Sequence, residues 1–148
     1  WPAFEKWSET YLRLTMGETP MIAGPLKIPY ARYMLYSQQT QEEGPYYIFD
    51  KRFGEKVPQL KHDYQVPEYF AEDLFKHLDD RPDFRWLIIG PKRSGSRFHK
   101  DPNATSAWNA VIRGAKRWVM FPPNVVPPGV HPTADGAEVT SPLSVIEW

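Results

Sequence analysis

The 148 residues hold 18 Lys and Arg against 18 Asp and Glu, so no net charge gathers nucleic acid or anionic membrane. Cysteine is absent, which excludes disulfide scaffolds, thiol nucleophiles and thiolate zinc sites and leaves His and carboxylates as the strong metal ligands. No apolar run nears the ~20 residues of a bilayer span, and the opening WPAFEKWSETYL lacks the order of a signal peptide, so one soluble domain with no membrane partner is expected.

In chain order, that opening places Phe4, Trp7, Tyr11 and Leu12 on one helical face, with Pro2 in the first turn. GETPMIAGP reads as a loop, and residues 29–39 as a short helix that starts on proline. PYYIFD is compact, aromatic and β-branched, which predicts a buried strand. Pro67 followed by EYFAEDLFKHL, with Tyr69, Phe70, Leu74, Phe75 and Leu78 as an apolar stripe, predicts an amphipathic helix. FRWLIIG, closed by Gly90-Pro91, predicts a central strand. Residues 122–142 hold six of the 16 prolines and read as a surface loop, while SVIEW alternates like an interrupted strand. The chain opens on Trp1 without a Met, so a fragment of a longer protein is expected.

Chemistry concentrates in two neighbouring segments. His99-Lys100-Asp101 is a His-x-Asp element, and in an extended chain residues i and i+2 share a face. An imidazole and a carboxylate on one side of an ion are two of the three ligands of the facial arrangement used by non-haem Fe(II) oxygenases. Taken alone, a surface turn with a hydrogen-bonded histidine explains the same three residues. The next segment reads as a hairpin: residues 107–112 and 117–121 are strand-like, and Gly114-Ala115 suits a two-residue turn with glycine first. That register sets Asn109, Val111 and Arg113 on one face with Lys116, Trp118 and Met120. A lysine and an amide on an inward face call for an anionic or polar ligand such as a dicarboxylate. On an outward face Lys116 merely snorkels, and a one-residue slip reverses the assignment.

With these residues in view, RWLIIGPKRSGSRFHKDPNATSAWNAVIRGAKRWVMFP resembles the core of JmjC-domain oxygenases, in particular the bifunctional arginine demethylase and lysyl-hydroxylase subgroup. The likeness extends more loosely to YYIFD, VPEYFAEDLF and the Trp-rich opening. It implies a mainly β fold with flanking helices: a double-stranded β-helix, the jelly-roll-like cupin barrel. A single domain over 1–148 is expected, with helical decoration over about 1–80, barrel strands over about 84–148, and the C-terminal barrel strands missing from the chain. It further implies Fe(II), 2-oxoglutarate and dioxygen as cofactor and cosubstrates. His99 and Asp101 become iron ligands, Lys116 the partner of the distal carboxylate, Asn109 an orienting amide, and Tyr47 and Ser96 hydroxyl donors; no catalytic group beyond these is expected. Ser96 stands where relatives carry threonine.

The second histidine ligand of these oxygenases lies on a later strand, so the isolated chain is expected to bind Fe(II) weakly and turn over poorly. His131 in PPGVHPT is a poor replacement, and His62 and His77 read as surface or packing residues. The implied reaction is hydroxylation or N-demethylation of a protein side chain, lysine or methylarginine, in an intracellular, nuclear setting. The competing reading is an inactive JmjC-like interaction module; a small-molecule cupin enzyme would lack Lys116 and Asn109 in this relation. Lys92, Arg93, Arg97 and Lys100 crowd the site entrance, which suits an acidic or nucleic-acid-associated partner or simply a solvated loop.

Overall fold

A computed structural model describes residues 1–102, 105–134, 138–141 and 144–148. The opening helix forms in two pieces, α1 (Ala3–Lys6) and α2 (Glu9–Met16). Ser8 separates them because its hydroxyl accepts the Tyr11 N–H at 3.2 Å, an N-cap that starts α2 afresh. Ala3, Trp7, Leu12 and Met16 point into the core, whereas Phe4 is half exposed. Asp63 fixes this unit from a distance. It is buried, accepts from Lys6 Nζ at 2.8 Å, Trp7 Nε1 at 2.9 Å and Tyr11 OH at 3.4 Å, and its carbonyl takes the Ala3 N–H. Burial alone would raise its pKa, but the hydrogen bonds from Lys6 and Trp7 outweigh it and hold the carboxyl below its usual value.

The expected loop at 17–25 is instead a hairpin, β1 (Pro20–Ala23) and β2 (Leu26–Pro29), with Met21 opposite Ile28 and Ala23 opposite Leu26. Its two-residue turn has glycine first: Gly24 sits at φ 56°, and a Cβ there would lie 2.5 Å from the Tyr46 ring. The short alternation MIAGPLKI carried this signal, masked by its flanking prolines. Helix α3 (Tyr30–Gln39) follows as expected, entered through Pro29.

β3 (Ile48–Asp50) and β4 (Leu87–Ile89) complete an antiparallel sheet in the order β2-β1-β3-β4. Its inner face presents Met21, Ala23, Ile48 and Leu87 to Tyr30, Tyr33, Phe53 and Leu60. Burial pushes the Tyr30 hydroxyl up to about 12 and Tyr33 higher still, so both stay protonated, and Tyr33 OH donates to the Ile89 carbonyl at 2.9 Å. Buried Asp50 accepts the N–H groups of Ile22 and Arg52 and pairs with Lys56, at the end of the short helix α4 (Phe53–Lys56). The outer face is apolar and uncovered: Ile22, Phe49, Trp86 and Ile88 are each about 40% exposed, and Phe49 stacks on Trp86 at 5.8 Å.

Three further segments depart from expectation. The amphipathic helix at 67–78 is replaced by two 3-10 turns, Glu68–Phe70 and Leu74–His77, because its stripe stays largely exposed and a helix this short is marginal alone. Asp73 between the turns is extended and paired with Arg81, whose guanidinium lies 3.5 Å over the Phe84 ring. The expected hairpin at 107–121 is not paired. Gly114 does adopt φ 78°, but no strand is formed among the described residues from 105 to 130, since two short strands without a third partner are marginally stable. Finally, the proline-rich segment forms a minimal ribbon, β5 (His131–Pro132) with β6 (Val139–Thr140), and SVIEW closes as a turn with Trp148 N–H on the Ser144 carbonyl.

The architecture is therefore antiparallel β with flanking helices, and its main sheet is open rather than closed into a barrel. No helix among the described residues is long and apolar enough to cross a membrane.

Candidate active site

β4 delivers the chain to the site. It ends at Gly90, where a Cβ would stand 2.1 Å from Ser94 Oγ and 2.8 Å from Tyr47 Cβ, so only glycine lets the 91–96 loop turn back over β3. Ser94 Oγ closes that turn on the Pro91 carbonyl at 2.7 Å. The chain then runs through Phe98 to His99 and Asp101.

These two side chains point the same way, as the i, i+2 spacing implies. His99 Nε2 lies 3.4 Å from Asp101 Oδ1, and the two are about half exposed. His99 Nδ1 lies 2.7 Å from the Arg97 carbonyl, which can only accept, so Nδ1 carries the proton. Nε2 thus faces the Asp101 carboxylate, an arrangement that a proton or a shared cation between the two satisfies. The pair suits a divalent ion in donor type and in spacing, since bonds of ~2.1 Å at right angles leave ligand atoms ~3 Å apart. The backbone carbonyl on Nδ1 also supplies the outer hydrogen bond that orients metal-binding histidines. Among the described residues no group of three His, Asp or Glu is arranged to hold a metal ion.

The cosubstrate candidates are placed less tightly. Lys116 Nζ sits 4.1 Å above the Trp118 ring, and partial burial lowers its pKa from 10.5. Asn109 and Ser96 are exposed. Tyr47 is half-buried against Phe49, its ring at 6.2 Å, and burial raises its pKa. Among the described contacts, no hydrogen bond or ion pair joins these four to His99 or Asp101. No contact among the described residues gathers these four with His99 and Asp101 into one enclosed pocket, and two surface clefts, of ≈ 590 and ≈ 250 Å³, are lined by other residues. The reason lies in the unpaired segment 107–121, which packs on the N-terminal unit instead. Trp108 stacks on Phe70 at 5.8 Å and meets Trp1 edge-on, Ile112 packs on the core, and Arg113 reaches the carbonyls of Trp7 and Glu5.

One contributor escaped the sequence reading. Phe98, Phe121 and Trp148 form a mutual edge-to-face triad with centroids 5.4–6.2 Å apart, and Trp148 Nε1 donates to the Pro128 carbonyl at 2.7 Å. This triad braces the residue next to His99. Only the position of Phe98 beside the His-x-Asp element hinted at it, because the partners arrive across 23 and 50 residues of irregular chain.

The cupin-like domain family matches residues 27–142. The arginine-specific demethylase JMJ22 of Arabidopsis thaliana is 58% identical over 149 residues, covering 100% of this chain and 30% of that protein. The bifunctional arginine demethylase and lysyl-hydroxylase psr-1 of Caenorhabditis elegans is 38% identical, over 88% of the chain and 36% of its own length. The 2-oxoglutarate and iron-dependent oxygenase JMJD4 of Homo sapiens is 27% identical, over 65% and 24%. The chain therefore spans about a third or less of these relatives. An open antiparallel sheet with flanking helices, a His-x-Asp pair facing one point, and matches over most of its length together show that the chain belongs to the cupin-like, JmjC-domain family.

Proposed function

We propose that this chain carries part of the site of an Fe(II)- and 2-oxoglutarate-dependent oxygenase that hydroxylates or N-demethylates a protein side chain such as lysine or methylarginine. The observation that carries the reading is the Nε2–Oδ1 approach of His99 and Asp101, with Nδ1 held on the Arg97 carbonyl. Relatives named as arginine demethylases, as a lysyl-hydroxylase and as 2-oxoglutarate and iron-dependent oxygenases support it. In this reading His99 Nε2 and the Asp101 carboxylate hold the ion from one side. The Lys116 ammonium pairs with the distal carboxylate of 2-oxoglutarate, and the Asn109 amide and the hydroxyls of Tyr47 and Ser96 donate to the cosubstrate. Tyr47 keeps its proton for that purpose, since burial raises its pKa. Iron bound with 2-oxoglutarate and dioxygen supplies oxidation of a C–H bond, with succinate and carbon dioxide as by-products.

Metal binding and turnover test separate parts of the proposal. Titration of the chain with Mn(II), followed by electron paramagnetic resonance, is expected to show weak binding that His99→Ala or Asp101→Ala abolishes. Succinate formation measured by mass spectrometry is expected to be slow and to disappear in Lys116→Ala. Metal binding indifferent to His99→Ala refutes the ligand assignment. Binding without any succinate favours the alternative, an interaction module that retains the family's shape.

A further inference from the structure

Cations gather in the smaller of the two clefts, of ≈ 250 Å³, where the corner that follows β3 meets the loop that enters β4. Its wall carries Lys51, Arg52, Arg81 and Arg85 against two carboxylates, Glu55 and Asp83. Three of the four cations are paired: Lys51 with Asp83 at 2.6 Å, Arg85 with Glu55 at 3.2 Å, and Arg81 with Asp73. Arg52 is exposed, and its side chain has no hydrogen bond, ion pair or ring contact among the described residues. With Asp73 counted, the cleft therefore holds one positive charge more than its carboxylates neutralise.

Two further observations mark the cleft as built. Gly54, buried in α4, lets the Arg85 guanidinium lie against the backbone, since a Cβ there would stand 3.1 Å from Arg85 Nη2 and 2.8 Å from Lys61 Cε. The Phe84 ring carries two guanidinium groups at once, Arg81 at 3.5 Å and Arg85 at 5.1 Å from its centroid. Like charges held so near one another repel until an anion meets them. Arg81 also leaves its Nε buried with no acceptor among the described residues, and a donor in that state calls for a partner.

The existing pairs leave the cleft open to a ligand. Lys51, Asp83 and Glu55 are each about half exposed, and exposed pairs of this kind hold weakly and exchange partners readily. A carboxylate ligand offers one charge and acceptors in one plane. A phosphate monoester offers nearly double the charge and oxygens directed several ways, which guanidinium forks grip from different sides.

We infer that this cleft binds a phosphate monoester dianion, held by Arg52, Arg81 and Arg85 with Lys51 at its edge. The volume admits the phosphate and a small attached group. The bound dianion ties the corner at 51–55 to the segment that leads into β4. This site goes beyond the oxygenase reading and uses none of its residues.

The test is isothermal titration calorimetry of the 148-residue chain at constant ionic strength with O-phosphoserine, inorganic phosphate, acetate, and a single-stranded oligonucleotide without terminal phosphates. O-phosphoserine and inorganic phosphate are expected to bind saturably, and acetate about tenfold or more weakly. Tighter binding of O-phosphoserine supports the site with a phosphorylated side chain as its ligand, and equal binding supports it with the free anion. Arg52→Glu, at a side chain that contacts nothing in the fold, is expected to lose about tenfold in affinity, whereas Lys27→Glu, an exposed cation on β2, leaves affinity unchanged. Should Arg52→Glu misfold by circular dichroism, Arg52→Gln decides, with an expected loss of about threefold. Absence of saturable phosphate binding overturns the inference, as does acetate or oligonucleotide binding that matches phosphate, equal loss in the Arg52 and Lys27 variants, or full affinity in Arg52→Gln. Neither iron nor 2-oxoglutarate enters this measurement, so its failure removes the phosphate site alone.

Discussion

Asp63 shows how much one side chain decides. Its carboxylate satisfies the indole N–H of Trp7 and the hydroxyl of Tyr11 while pairing with Lys6, so that a residue some fifty positions away fixes the N-terminal helices. Asp63→Leu strands the buried Trp7 N–H and is expected to destabilise the fold by about 1–3 kcal/mol, measured by urea unfolding. Because its folded pKa lies below the ordinary 3.8, Asp63 contributes stability that is complete above that value and is lost as pH falls through the folded pKa. Asp63→Asn is therefore expected to flatten the acid limb of stability as pH falls below 3.8. Lys116 runs the other way: burial lowers its pKa, so the charged form that would hold a carboxylate is lost at a pH below 10.5. Affinity for 2-oxoglutarate is expected to decline on the alkaline side earlier than an ordinary lysine would allow, a decline absent in Lys116→Arg, whose guanidinium stays charged.

At the scale of elements, glycines set the turns. Gly24→Ala meets both a positive φ and the Tyr46 ring, and is expected to cost about 1–2 kcal/mol or more, seen as a lowered Tm. Gly90→Ala would drive a methyl into Ser94 and Tyr47, so it is expected to lower Tm and also to weaken cosubstrate binding, if Tyr47 serves there. The short strands need this help because each contributes only three or four residues to the sheet. Where an apolar stripe stays largely exposed, as at 67–78, no capping or periodicity sustains a helix, and the segment shortens to 3-10 turns.

Across the whole molecule, the core gathers residues 3–60 and Leu87, with Ile112 as an outlying support. Backbone bonding between 105 and 130 consists of isolated turns, such as Val125 N–H on the Pro122 carbonyl. Hydrogen exchange should accordingly be slow in β1, β3 and α3 and fast between 105 and 121; strong protection of 107–112 would mean that the hairpin forms in solution. The uncovered sheet face of Ile22, Phe49, Trp86 and Ile88 is expected to bind a hydrophobic dye, and Phe49→Ser with Trp86→Ser to reduce that fluorescence.

By itself the sequence determined the elements whose signal is local: the helical opening, the helix entered at Pro29, the strands in YYIFD and WLII, and the shared direction of His99 and Asp101. These depend on capping, proline placement and the two-residue period, which neighbours in the chain supply. The tertiary structure alone decided that MIAGPLKI pairs as a hairpin, that 67–78 does not become a helix, and that 107–121 lies on the N-terminal unit without strand partners. In each case the local pattern fits more than one conformation. The choice falls to whether a second surface is present to bury the apolar face or accept the free backbone groups, and that surface comes from residues far away in the sequence.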